Sequence, residues 1–117
     1  MIIDSKGIIL TNNHVVQGAT KITVTLADRR SFTAIDVRRD PQTDLAVLKI
    51  DATNLTPAHI GNADNLRVGD WVVAIGNALA LEGGPTVTVG IISYKGRSIQ
   101  TDSGTTLYDL IQTDAAI

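Results

Sequence analysis

His14 lies in ILTNNHVV, where Thr11, Asn12, Asn13 and His14 interrupt an apolar run that resumes at once with Val15 and Val16. Imidazole exchanges its proton near neutral pH, so a histidine held in place can take a proton in one step and return it in the next. The same setting also suits a ring at the edge of a core, with one nitrogen bonded to backbone. Asp44 follows in QTDLAVLKI, at the start of an apolar segment. A carboxylate there is costly unless something satisfies it. It can do so as a turn aspartate that bonds its own backbone. It can also accept the proton on one imidazole nitrogen, which fixes the tautomer, leaves the other nitrogen free as a base and stabilises the imidazolium once formed.

The elements that must hold such a pair are read from the pattern of the chain. Its 117 residues are one domain's length or a piece of a larger one, and 44% hydrophobic with 19% charged residues is a composition that builds a core. The formal net charge is -2 and aromatic residues make up 3%, so the basic pairs Arg29-Arg30 and Arg38-Arg39 have no stacking platform beside them. Nucleic-acid binding is therefore not expected. Cysteine is absent, which removes disulfides and thiolate metal sites. No apolar run approaches the roughly 20 residues that span a bilayer as a helix, so direct membrane insertion is not expected either. MIIDSKGIIL lacks the basic n-region and cleavage site of a signal peptide.

The periodicity is that of short strands. KITVTL (21–26) alternates polar and apolar residues with β-branched side chains, ADRR provides a connection, and 31–39 reads as a second alternating strand. DPQT is a turn, and 45–50 is a nearly continuous apolar strand. A short pair, 2–3 with 8–11, is hinged by DSKG. Residues 52–67 mix Pro, Asn, Gly and Asp with isolated apolar residues, as a linker between two β modules does. Strands are expected again at 71–75, 86–93 and 107–112. The glycine-rich 76–85 reads as a working loop and 96–106 as an exposed, mobile one. No segment carries a helical stripe. The class read from this rhythm is all-β, a barrel or sandwich.

TNNHVV, the hairpin KITVTLADRRSFTA, then RRDPQTDLAVLKI, LRVGDWVVAIGN, TVTVGIIS and IQTDAAI occur in order over nearly the whole chain. Together they resemble the trypsin-like serine proteases of the HtrA/Deg family. The resemblance implies two six-stranded β-barrels with the active site between them. Residues 1–51 would form a nearly complete first barrel, 52–67 the linker, and 68–117 an incomplete second barrel. It places the general base at His14 and the orienting acid at Asp44, and it implies peptide-bond hydrolysis with no cofactor and no metal. Ile117 resembles a residue lining the primary specificity pocket, which implies small aliphatic residues before the cut. Unfolded or misfolded proteins as substrates, a homo-oligomer in the full-length protein and an extracytoplasmic location in the periplasm or cell envelope are further implications.

In that family a segment like IQTDAAI is followed by an Asn-Pro-Gly-Asn-Ser-Gly-Gly run that supplies the nucleophile and the oxyanion-hole amides. None of Ser5, Ser31, Ser93, Ser98 or Ser103 has a Gly-x-Ser-Gly-like setting. Residues 1–117 are thus expected to carry the base and acid without the nucleophile, and to be inactive by themselves. The family's trimer-building N-terminal segment and PDZ domain are expected outside these residues. Where the family has Asn-Pro-Phe/Leu-Gly after Ile-Gly, this chain reads Asn77-Ala78-Leu79-Ala80-Leu81, in a loop whose arrangement separates active from resting forms in that family. His59 is expected at the surface, Trp71 as a core anchor of the second barrel, and Asp114 as a satisfied buried carboxylate. The competing reading is a non-catalytic binding or assembly module that kept the barrel.

Overall fold

The computed structural model describes residues 1–76, 84–102 and 104–117, so the altered loop at 77–81 lies outside the described residues. Among the described residues 47% are in strands and 6% in helix, an all-β class. The chain divides into two units, Met1–Gly61 and Asn62–Ile117.

In the first unit the chain order is β1 (Ile8–Asn12), the one-turn helix α1 (Asn13–Val16), β2 (Thr23–Thr25), β3 (Ser31–Thr33), β4 (Asp36–Asp40) and β5 (Leu45–Lys49). The opening turn is closed by Asp4, whose Oδ1 accepts from the amides of Lys6 at 2.8 Å and Ile8 at 3.0 Å. It returns Ile2 against Ile9. Gly7 ends that turn at φ 93°, and a Cβ there would collide with the Ile50 carbonyl oxygen. Only glycine fits both the left-handed backbone and the approach.

β5 is the central strand of β1-β5-β4, antiparallel to both neighbours. Ala46, Leu48 and Ile50 alternate onto one face and are buried with Ile9 and Val16. Phe32, Val24 and Leu55 pack against that cluster from the partly buried shell.

The single run expected over 31–39 is two strands in two sheets. β3 pairs with β2, whereas β4 pairs with β5. The chain changes sheet at Ala34 and Ile35: the Ala34 amide donates to the Ile22 carbonyl at 2.9 Å and the next amide to that of Lys49 at 2.8 Å. The apolar phase slips by one residue at that corner, from Phe32 and Ala34 to Ile35 and Val37, a break in alternation that marks the change of sheet. Residues 52–61 stay with the first unit, where Ala52 and Leu55 pack on its core and the Ala58 amide donates to Ile2 at 2.8 Å.

The second unit begins with a 3₁₀ turn, Ala63–Asn65, capped by Asn62 through a bond from the Asp64 amide at 2.9 Å. The Lys95 ammonium gathers the carbonyls of Ala63 and Leu66, each at 2.8 Å. Three strands follow, β6 (Trp71–Gly76), β7 (Thr86–Gln100) and β8 (Thr106–Thr113), in the order β6-β7-β8. In its described residues the expected mobile loop at 96–106 is instead the arms and turn of the β7–β8 hairpin. Its register shifts between Lys95 and Arg97 and again between Arg97 and Ile99. Gly96, at φ 77°, supplies one bulge. Bulges let a polar, glycine-bearing segment remain in a ladder, which is why composition alone reads it as a loop.

Trp71 is not a core anchor. It is 79% exposed, on the face of β6 that also carries exposed Val73 and Ile75. β7 sets Val89 opposite Val73 and Val87 opposite Ile75, both exposed too. Burial in this unit lies on the opposite side of the pleat, at Ile92 and Ala115. Asp114 is satisfied but exposed, its Oδ1 accepting from the Ile91 amide at 2.8 Å. Among the described residues no helix is long and apolar enough to cross a membrane.

Candidate active site

The β1–β5 ladder decides what meets His14. Its register runs from Ile8 opposite Lys49 to Asn12 opposite Leu45. The residues just beyond that last pair, α1 on one side and Asp44 on the other, therefore face each other although His14 and Asp44 are 30 positions apart. The Asn13 amide continues the ladder by donating to the Asp44 carbonyl at 3.0 Å.

The turn does not need Asp44. Asp40 closes it, accepting from the Gln42 amide at 3.0 Å and from the Thr43 hydroxyl at 2.9 Å. Asp44 takes a left-handed backbone, φ 55°, a region that Asp tolerates better than most residues. Its carboxylate is turned to α1. Oδ1 accepts from the His14 amide at 2.9 Å, and Oδ2 lies 2.6 Å from His14 Nδ1. The Asn12 side-chain amide donates to the Asp44 carbonyl at 3.1 Å and to Oδ2 at 3.4 Å.

Burial of Asp44 works against its charge. The bonds from the His14 amide and ring, the ring's charge and the Asn12 amide together outweigh it, holding the carboxyl below its ordinary value. At neutral pH Asp44 is therefore ionised and can only accept, so the proton between the two groups belongs to Nδ1. The Nε2 lone pair is then free to act as a base. The His14 side chain is 68% exposed, against 25% for Asp44. Among the described residues no hydrogen bond engages Nε2, and no serine hydroxyl is bonded to the ring.

His14 and Asp44 are thus brought together by β1, α1 and β5. Ile117, expected in the specificity pocket, is the last residue of the other unit and is 98% exposed. His59 is exposed. Asn12 is a contact that sequence reading missed; its one signal is an amide two positions before the histidine, inside an uninterrupted polar run. Asn13 is 6% exposed, and its Oδ1 has no donor among the described residues. Among those residues no three His, Cys, Asp or Glu side chains converge as metal ligands.

Compared across protein families, residues 1–117 match the trypsin-like peptidase domain. The chain is 53% identical over 114 residues to a Haemophilus influenzae protein named "Probable periplasmic serine protease do/HhoA-like", covering 97% of this chain and 24% of that one. It is 49% identical over 116 residues to a Chlamydia pneumoniae "Probable periplasmic serine endoprotease DegP-like", covering 99% and 23%. It spans about a quarter of the length of these curated relatives. Among solved structures, "HtrA-type protease AlgW with decapeptide" superposes with a TM-score of 0.87 at 49% identity, over 100% of this chain and 35% of that one. The chain belongs to the trypsin-like peptidase domain family, and within it resembles the HtrA/Deg serine proteases.

Proposed function

We propose that residues 1–117 supply the general base and the orienting acid of a serine endopeptidase whose nucleophile comes from outside these residues. The observation that carries this reading is the 2.6 Å contact between His14 Nδ1 and Asp44 Oδ2, with Nε2 left open to solvent. In the complete protein, Nε2 takes the proton of a serine hydroxyl as its oxygen attacks the peptide carbonyl. Asp44 steadies the imidazolium and keeps its tautomer. Backbone amides hold the oxyanion, and Nε2 then returns the proton to the departing amine. Water, deprotonated by the same nitrogen, releases the acyl group. The absence of a Gly-x-Ser-Gly setting around any serine of the chain supports an external nucleophile.

The substrates are unfolded or misfolded polypeptides met outside the cytoplasm. The relatives named periplasmic, and the solved relative described with a decapeptide, support this. Small aliphatic residues before the cut follow if Ile117 lines the specificity pocket. Because members of a triad act as a unit, the 117-residue chain by itself is inactive. Assembly into a homo-oligomer belongs to the complete protein.

The test is casein cleavage by the complete protein its gene encodes, beside His14→Ala and the 117-residue chain. Cleavage by the first and by neither of the others is expected. Cleavage and serine-phosphonate labelling of the short chain would overturn the external nucleophile. An inactive complete protein that still binds polypeptide would favour the binding-module reading.

A further inference from the structure

We propose that Asn12 is a positioning residue of the His14–Asp44 pair, its side-chain amide bridging the carbonyl and the carboxylate of Asp44 at 3.1 and 3.4 Å. This rests on the catalytic reading of that pair.

The donors to the Asp44 carboxylate come from two residues. His14 supplies two, its backbone amide to Oδ1 and Nδ1 to Oδ2. Were these the whole set, the backbone amide would anchor Oδ1, but Oδ2 would be held only by the ring it is to orient. Rotation of a carboxylate about its last bond is soft, so Oδ2 could follow the ring. Asn12 is the donor that belongs to neither partner. It is the last residue of β1, fixed by its ladder position opposite Leu45, and it holds Asp44 at two points. One Nδ2 carries two hydrogens, enough for both bonds. The carbonyl bond also helps hold the backbone of Asp44 at φ 55°, a conformation that persists only where its surroundings impose it.

A second observation concerns what Asn12 does not do. It occupies the N-cap position of α1, where an asparagine ordinarily accepts from an amide of the first turn, yet it makes no such cap bond. Its side chain is directed across the ladder to Asp44 instead. Asn12 also donates to the ionised form of Asp44 and contributes to holding that carboxyl below its ordinary value.

The two roles separate by substitution. If Asn12 were a helix cap, Ser and Asp, both good caps, would replace it. As a positioning donor it tolerates neither: serine cannot span both acceptors, and aspartate sets charge against charge. In the complete protein, Asn12→Ala, Asn12→Ser and Asn12→Asp are expected to lower kcat by about 10- to 100-fold, the scale of a slightly misplaced catalytic group. KM should stay within about twofold, and Asp should be the worst of the three. Proton NMR should show the low-field Nδ1–H resonance of His14 broadened by exchange with water in the Ala variant. If Asn12→Ala does not fold, the same kcat loss is required of Asn12→Ser. Parent-like kcat in Asn12→Ser or Asn12→Asp overturns the proposal in favour of a cap. His14→Ala is run in parallel: an active His14→Ala sinks the catalytic reading itself, whereas an inactive one beside parent-like Asn12→Ala sinks only the positioning role.

Discussion

Asp44→Asn keeps the shape of the side chain and removes its charge and half of its acceptors. The amide can enter in two orientations. With its nitrogen in place of Oδ1, it faces the His14 amide at 2.9 Å, donor against donor, and a good bond is lost. With its nitrogen in place of Oδ2, that bond survives and the loss is the longer Asn12 contact at 3.4 Å. The second orientation is the cheaper, because it gives up a 3.4 Å contact and keeps the 2.9 Å bond. It also places a donor 2.6 Å from Nδ1, which must then accept, and the ring proton moves to Nε2. The base is lost through the tautomer and not through the fold. If the pair serves a Ser-His-Asp triad as proposed, such a swap lowers kcat by about 10⁴, about 5 kcal/mol at 1.36 kcal/mol per decade. The assay is kcat on a fluorogenic peptide with the complete protein, alongside ¹⁵N shifts of the His14 ring. A kcat within tenfold of the parent, with the proton shown on Nε2, would refute the role of Nε2 as base. A proton still on Nδ1 would refute the orientation argument.

Three further outcomes are expected. Gly7→Ala should destabilise the protein by about 1–3 kcal/mol in urea unfolding, because the added methyl meets the Ile50 carbonyl at a left-handed backbone; an unchanged midpoint would contradict the packing described. Leu48→Ala, at 3% exposure, should cost about 2–5 kcal/mol, and a loss under about 1 kcal/mol would show that the core collapses around the gap. The pH dependence follows from Asp44, whose carboxyl is held below its ordinary value in the fold. Its stabilising contribution is complete above the unfolded value of about 3.9 and is lost as pH falls below that, through the lower folded value. The stability gap between the parent and Asp44→Asn should therefore close below about pH 4; a gap that persists at pH 2 would mean that Asp44 stabilises by shape and not by charge.

What could be read from the sequence divides along physical lines. The β1–β5 segments, 8–12 and 45–49, show as apolar runs because one face of each is buried. The pair at their ends was found through the contexts NNHVV and TDLAVLKI. Side-chain alternation reports which face of a strand is covered and not which strand lies beside it, so the slip in apolar phase at Ala34 and Ile35 marks a break in the run without naming β5 as the new partner. Composition failed at 96–106, where bulges keep polar residues in a ladder. Hydrophobicity failed at Trp71, since an aromatic residue on a strand names no face. α1, four residues long, is too short for any period to register. Asn12 was hidden because its worth lies in a partner 32 positions away.

That separation also governs when the pair can form. The β2–β3 and β4–β5 hairpins close over short turns, at 26–30 and 41–44, and need only their own residues. β1 must find β5 across everything between them, and closing a loop of 30 residues costs about 3 kcal/mol of chain entropy before any contact repays it. Local hairpins form in microseconds, whereas distant pairings wait. Pulse-labelled hydrogen exchange should accordingly protect the β4–β5 amides before those of β1, and simultaneous protection would contradict this order. His14, near the start of the chain, emerges from the ribosome long before Asp44, and its ring has no carboxylate to orient it until β1 docks. On the proposed reading, a nascent or half-folded chain is thus without an oriented base, and the order of folding itself delays the moment at which the complete protein could attack its neighbours.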